Sequence, residues 1–462
     1  MGRDHGTAAT PGERNGDTER FGHGRILGGQ GRYAFTMTRS LYAVLFGTFT
    51  LRLSTGLTGG LLVFYADRVL HTNELTLALL TATFFAAELV LSTPFGLLSD
   101  RFGHHRIMQV GPIFGVIAVV MTWASTDIFV IGATRWLEGA STAASVPSIL
   151  GFIAMATAGN ELLRGRMSAR FEGATLAGLG VGFVVAGLLY DGIPGVWSGM
   201  GRDAFLVNAV IYGVSFLIYR LGVEAPAGEK ATLDAPHFGW RRYLALLTSS
   251  HVWLLAPTWI AINAALGLWT SQSIFQLIRK PDPRFADQLL MGQFQGAQIA
   301  LGAAVGLVVF FAGLWYWGDR LKNMRRTTII LYGIIGGAVT VGAAVVINHS
   351  RGQPDLIVGI FALAAAAGVF VLAGATPAAL GLLADVSEAY PADRGAIMGL
   401  YSVFLALGQI GGAFLGGAAA GPLGIDGILI ATLGLLAVAI LPLSRLRAVE
   451  HQVGVAPRAH TT

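Results

Sequence analysis

Five charged side chains stand inside or at the edge of long apolar runs of this chain: Arg52, Glu88, Arg135, Glu138 and, nearer a run's edge, Glu172. A charged group at the centre of a bilayer costs about 2.5–3.5 kcal/mol on insertion scales, so such groups need partners and usually carry function. Arg135 and Glu138 are three residues apart, a spacing at which helical side chains meet. Arg52 is about eleven residues into its run and Glu88 about twelve, which puts both near the middle of a spanning helix. Desolvation favours the protonated form of a carboxyl group and a nearby arginine favours the ionised form, so an arginine that moves between states can switch proton affinity. These residues are therefore predicted to couple a proton to some other process. The competing reading is a static buried ion pair that fixes helix register.

The other half of the chain offers uncharged groups at comparable depth: Asn263, Trp269, Gln272, Gln293, Gln295, Gln298 and Gln409. Asn263, Trp269, Gln295, Gln298 and Gln409 are expected to line a cavity for a small molecule. Amides in membranes also bond from helix to helix, a reading of equal weight for any one of them.

These side chains need helices to hold them in lipid. The 462 residues are 54% hydrophobic and 12% charged, with a mean hydropathy of +0.63. A soluble domain carries about 25% charged residues, so lipid must be the solvent for much of this surface. Glycine, at 63 residues, suits helices packed closely through small side chains. The absence of cysteine excludes disulfides and thiolate chemistry. No phosphate loop and no His-Glu-x-x-His helix occurs, and no metal or cofactor is expected.

Runs long enough to cross about 30 Å of hydrocarbon fall near 41–65, 76–98, 107–124, 128–158, 167–190 and 204–222. They resume near 244–277, 287–317, 326–347, 355–383, 395–420 and 425–444. The expected fold is an all-α membrane protein with twelve transmembrane helices in two six-helix bundles, 41–223 and 244–446. A cytoplasmic linker, 224–243, joins the bundles, and tails 1–40 and 447–462 flank them, the first read as disordered.

Loops on the side of the N-terminus hold fourteen basic residues, among them Arg101, Arg106, Arg164, Arg166, Arg170, Arg320, Arg325 and Arg394; the opposite loops hold six. The positive-inside rule makes the first side, with both termini, cytoplasmic. The net charge of +5 thus reflects membrane topology, and no nucleic-acid partner is expected.

The two halves repeat one another. Gly178, Gly182 and Gly187 in the fifth run match Gly408, Gly412 and Gly417 in the eleventh at a constant offset of 230, and Asp100-Arg101 after the second run matches Asp319-Arg320 after the eighth. Two related bundles around a midplane site is a known transporter plan.

The loop after the second run reads Gly96-Leu97-Leu98-Ser99-Asp100-Arg101-Phe102-Gly103-His104-His105-Arg106. It resembles the signature of the major facilitator superfamily: Gly, any, Leu, small, Asp, Arg, any, Gly, then basic residues. His104 and His105 replace the usual basic pair and are expected to be solvated. Arg135-Trp136-Leu137-Glu138-Gly139 resembles the Arg-x-x-x-Gly element of proton-coupled members. Gly178-Leu179-Gly180-Val181-Gly182 has the glycines of the drug–proton antiporter fifth helix without its proline.

The resemblance implies a conformational switch. Gly96 would let the second helix approach the eleventh near Gly399, and Asp100 would meet the positive N-terminus of that helix when the cytoplasmic side closes. Arg101, Gly103, Arg106, Asp319 and Arg320 complete the switch set. It further implies alternating access by a monomer in a bacterial inner membrane, with a small-molecule substrate and protons as partners. Export of a hydrophobic or weakly polar compound fits the apolar, aromatic second half and the intramembrane charges. The missing proline weighs toward the alternative, uptake or facilitated diffusion of a sugar, organic acid or nucleoside. No nucleophile-and-base geometry points to an enzyme.

Overall fold

The structure, a computed structural model, describes residues 20–157, 160–225, 252–280, 282–321, 323–388 and 394–449. The first half contributes α1 (Arg20–Arg68), α2 (Glu74–Phe102), α3 (Val110–Ala124, preceded by the turn His104–Ile107), α4 (Ile128–Ala156), α5 (Glu161–Asp191) and α6 (Ala204–Gly222). The second contributes α7 (Val252–Ile278), α8 (Gly296–Arg320), α9 (Arg326–Asn348), α10 in two pieces (Asp355–Leu372 and Ala375–Glu388), α11 (Arg394–Leu423) and α12 (Ile425–Val449). Eleven of these twelve are long and apolar enough to cross a membrane. The exception, α1, carries Arg52 together with threonines, serines and glycines that face protein: Thr48, Thr50, Ser54 and Thr58 are all buried. No strand occurs among the described residues.

Polar caps place the helix starts. Asn73 accepts from the Thr76 N–H at 2.8 Å, Asp127 from Phe129 at 2.7 Å and Asn160 from Leu163 at 2.9 Å. Each satisfies an orphan donor at the lip of an apolar run. The expected tail, 1–40, is helical from Arg20 onward. Extending an existing helix adds a hydrogen bond for each residue fixed, so a polar stretch can continue a well-nucleated span. Residues 1–19, most of the linker (226–243) and 450–462 lie outside the described residues. The eighth span starts at Gly296 and not near 287. The segment before it forms the short turn Pro283–Phe285, and Gln293 adopts φ 56.

The sequence repeat reappears as repeated packing. Gly178 and Gly182 lie against the α1 backbone at Phe49 and Leu53, while Gly408 and Gly412 lie against the α7 backbone at Ile260 and Ala264. One helical turn or so further along, each helix leaves its own half: Gly187 meets Gly296 of α8, and Gly417 meets Glu74 and Ala78 of α2. Absence of a Cβ at these crossings lets backbones touch.

The halves meet mainly at one end. An apolar cluster there joins Leu61, Tyr65, Leu77 and Tyr190 of the first half to Phe275 and Ile278 of the second. Toward the Asp100 end each half instead has its own cluster, Met37–Met108–Phe152–Tyr219 in one and Trp259–Trp317–Ile330–Leu443 in the other. Among the described residues, then, the apolar core bridges the two halves at the Glu74 end and is divided between them toward the Asp100 end.

Candidate functional site

Arg135 and Glu138 form an ion pair within α4, with side chains 7% and 1% exposed. The Arg135 guanidinium also lies 4.9 Å from the centre of the Phe84 ring on α2, a contact that strengthens when desolvated. Tyr212 of α6 donates to Glu138 Oε1 at 3.4 Å. Four residues earlier on α6, Asn208 donates to Thr58 Oγ1 at 2.7 Å and to the Ser54 carbonyl at 3.1 Å. Gly139 allows this assembly, because it lies against the α2 backbone at Phe84. The pair is therefore locked by α1, α2 and α6 together. Sequence spacing anticipated the pair itself. Tyr212 and Asn208 escaped it, although Asn208, Tyr212, Ser215 and Tyr219, recurring at helical spacing along an apolar span, were the available signal.

Arg52 stands apart from this pair. Its guanidinium donates to Thr142 Oγ1 of α4 at 3.5 Å, and its buried Nε has no partner. Glu88 of α2 and Glu172 of α5, the other acids among the intramembrane candidates, are half-buried. Arg52 makes no direct ion pair with Glu88 or Glu172, so the expected Arg52/Glu88 pair is not closed in this arrangement and the guanidinium rests on Thr142 instead.

The second-half candidates separate. Asn263 is buried where Gly408 crosses α7 and bonds the Trp259 carbonyl at 2.9 Å. Gln409 is buried on the same α7–α11 contact and accepts from Thr270 at 3.4 Å. Trp269 turns away to α12, donating to Thr432 at 2.9 Å. Gln295 and Gln298 are exposed and cap the start of α8 through each other. They lie at the Glu74 end, where Gly296 meets Gly187, and not in the middle of a span.

In the loop after α2, Gly103 has φ 97, a region that L side chains enter at a cost of about 1–3 kcal/mol. Gly103→Ala is expected to lower the melting temperature of the purified protein by a few degrees, which a thermal-shift assay reads directly. Ser99 and His104 pair below it at 3.0 Å, and His104 Nε2 lies 3.5 Å from Asp100. His104 is buried against Gly151 of α4, so the expectation of a solvated histidine fails there; the positive-φ glycine before it turns the chain inward. Asp100, Arg101 and Arg106 are exposed. Among the described residues, Pro147 of α4 is the neighbour of Gly96's missing Cβ, at 3.7 Å; the side chains around Gly399 lie outside them. Asp319 and Arg320 end α8, exposed, with Arg320 5.0 Å from the Tyr316 ring centre. The side chains at the start of α11, which the resemblance makes the partner of Asp100, lie outside the described residues.

The family model of the Major Facilitator Superfamily matches residues 44–353. The chain belongs to that superfamily. It is a multi-pass membrane transporter and not an enzyme. Multidrug resistance protein 2 of Bacillus subtilis is 23% identical over 76% of this chain and 81% of its own length. The quinolone resistance protein NorA of Staphylococcus aureus is 25% identical over 38% of this chain, and the match spans 45% of NorA's length. Among solved structures, the nucleoside transporter NupG superposes with a TM-score of 0.63 at 12% identity, covering 88% of this chain and 98% of NupG. A bacterial homologue of the lysosomal transporter Spinster, inward-facing and unoccupied, gives 0.65 at 12% identity, covering 90% and 98%. At such identities the likeness is one of fold, the major facilitator fold expected from the sequence.

Proposed function

We propose that this transporter exports a small hydrophobic or weakly polar compound in exchange for protons. In this reading the Asp100 end faces the cytoplasm of a bacterial inner membrane and one chain suffices. The observation that carries the reading is the first half's set of intramembrane charges: the locked Arg135–Glu138 pair, the half-buried Glu88 and Glu172, and a buried Arg52 whose Nε lacks a hydrogen-bond partner. Protonation of an acid that shares an arginine releases the arginine to the other acid, which couples proton uptake to side-chain movement. The drug-resistance relatives support the export direction, and the Lys/Arg asymmetry supports the orientation. The second half supplies apolar and amide contacts, with Asn263 and Gln409 as the buried groups on its α7–α11 contact.

Energetically the scheme is sufficient. One charge moving through 100 mV provides about 2.3 kcal/mol, about a fifty-fold gradient of substrate. The test is flux in proteoliposomes with and without a pH gradient. Glu88→Gln and Glu138→Gln are each expected to lower gradient-driven accumulation at least tenfold while leaving equilibrium binding measurable. Full pH-dependent accumulation by both variants would remove the proton role. Stabilisation of the purified protein by sugars or nucleosides alone would favour uptake, the direction toward which the missing proline in Gly178–Gly182 points.

A further inference from the structure

The closed end is held by two acids of the first half that the proton scheme does not use. Glu74, in the first turn of α2, forms an ion pair with Arg279, just beyond the end of α7. Gln272 of α7 donates to the Glu74 carbonyl at 3.0 Å and Gln276 to its carboxylate at 3.5 Å. Asp191, the last residue of α5, accepts from the Gly296 N–H that opens α8 at 3.1 Å and faces Arg68 at 3.4 Å. Each acid therefore grips the opposite half: Glu74 through a guanidinium and two amides, Asp191 through the positive end of a helix.

The glycine crossings seat these grips. Gly417 brings α11 against Glu74 and Ala78, and Gly187 brings α5 against Gly296. Closure also has a cost, because the Oε1 atoms of both Gln272 and Gln276 are buried without partners. Opening this end would hydrate them, so the ionic contacts must offset that tendency.

We infer that Glu74 and Asp191 are positioning residues for transport, paired latches that hold the Glu74 end shut and so set the balance between the two access states. At the opposite end the acid of the switch loop, Asp100, is exposed. The two ends therefore compete, and weakening the Glu74–Asp191 latches transfers population to the state open at their end. This holds whatever ion or solute is carried, because it concerns the contact between halves.

The chain lacks cysteine, which makes paired spin labels clean reporters. Val196→Cys with Leu356→Cys marks the Glu74 end, and Leu221→Cys with Asn323→Cys marks the Asp100 end; all four positions are exposed. In the Glu74→Gln/Asp191→Asn background, the long-distance population at the Glu74 end is expected to rise at least tenfold while the Asp100-end distance shortens. Unchanged distributions at both ends would overturn the inference, as would lengthening at both, which signals general loosening. The exchanged pair Glu74→Arg/Arg279→Glu, checked for monodispersity by gel filtration, should return the distribution toward that of the parent; failure of a well-folded exchanged pair would also overturn it.

Discussion

Arg135→Leu is expected to destabilise the first half by about 3–5 kcal/mol, the usual effect of removing one partner from a buried ion pair. The variant should express poorly and elute as aggregate from detergent. Glu138 is 1% exposed, so without Arg135 it has Tyr212 as a hydrogen-bond donor and no nearby charge of opposite sign on its helix face. The loss also removes the cation from the Phe84 ring. The decisive companion is Arg135→Leu/Glu138→Leu, which removes both charges and is expected to recover most of the stability, since an apolar replacement of a whole buried pair is often neutral. Recovered folding without recovered transport would assign the pair a role in function; equal loss in both variants would contradict the locked-pair description.

Gly182→Val is expected to be nearly as damaging. Gly182 lies against the backbone of α1 at Leu53 and Leu57, and Gly56 of α1 reciprocally meets Leu179 of α5. Backbone cannot yield as a flexible side-chain tip does, so α1 and α5 would have to separate. Overpacking commonly costs about 1–3 kcal/mol, and more where the neighbour is rigid. Arg52 sits one turn away, with its Cβ against Gly178, so displacement would also move the arginine relative to Glu88 and Glu172. Thermal denaturation and transport should fall together. The matched change in the other half, Gly412→Val against Ala264, should behave likewise; a benign outcome at either position would show that the repeat is one of sequence and not of packing.

Hydropathy and charge made most of the fold legible, because lipid imposes span length and leaves backbone groups no partner outside the helix. The glycine offset of 230 anticipated paired crossings, since only a missing Cβ permits the contact that the structure has at Gly182 and Gly412. Arg135 and Glu138 were readable because both sit on one helix. Glu74, Asp191, Arg68 and Arg279 were not readable: at helix ends, charged residues look like solvated loop or interface groups, and pairing between distant segments leaves no local pattern. Gln295 and Gln298 misled for a related reason. Without the position of the α8 start, two amides three apart resemble a lining face, whereas they are a capping box that closes a helix end. His104 was misjudged because loop composition implies water, and the turn at Gly103 directs it inward.

The crossings at Gly187 and Gly417 have a mechanical consequence. They lie at the same end of the molecule and are related by the repeat, so one cannot slide free while its twin stays seated without shearing α5 and α11 against their own partners. Parting is therefore concerted. If the halves rock as proposed, such coupling would favour two well-defined arrangements over a half-open crack through which ions could leak.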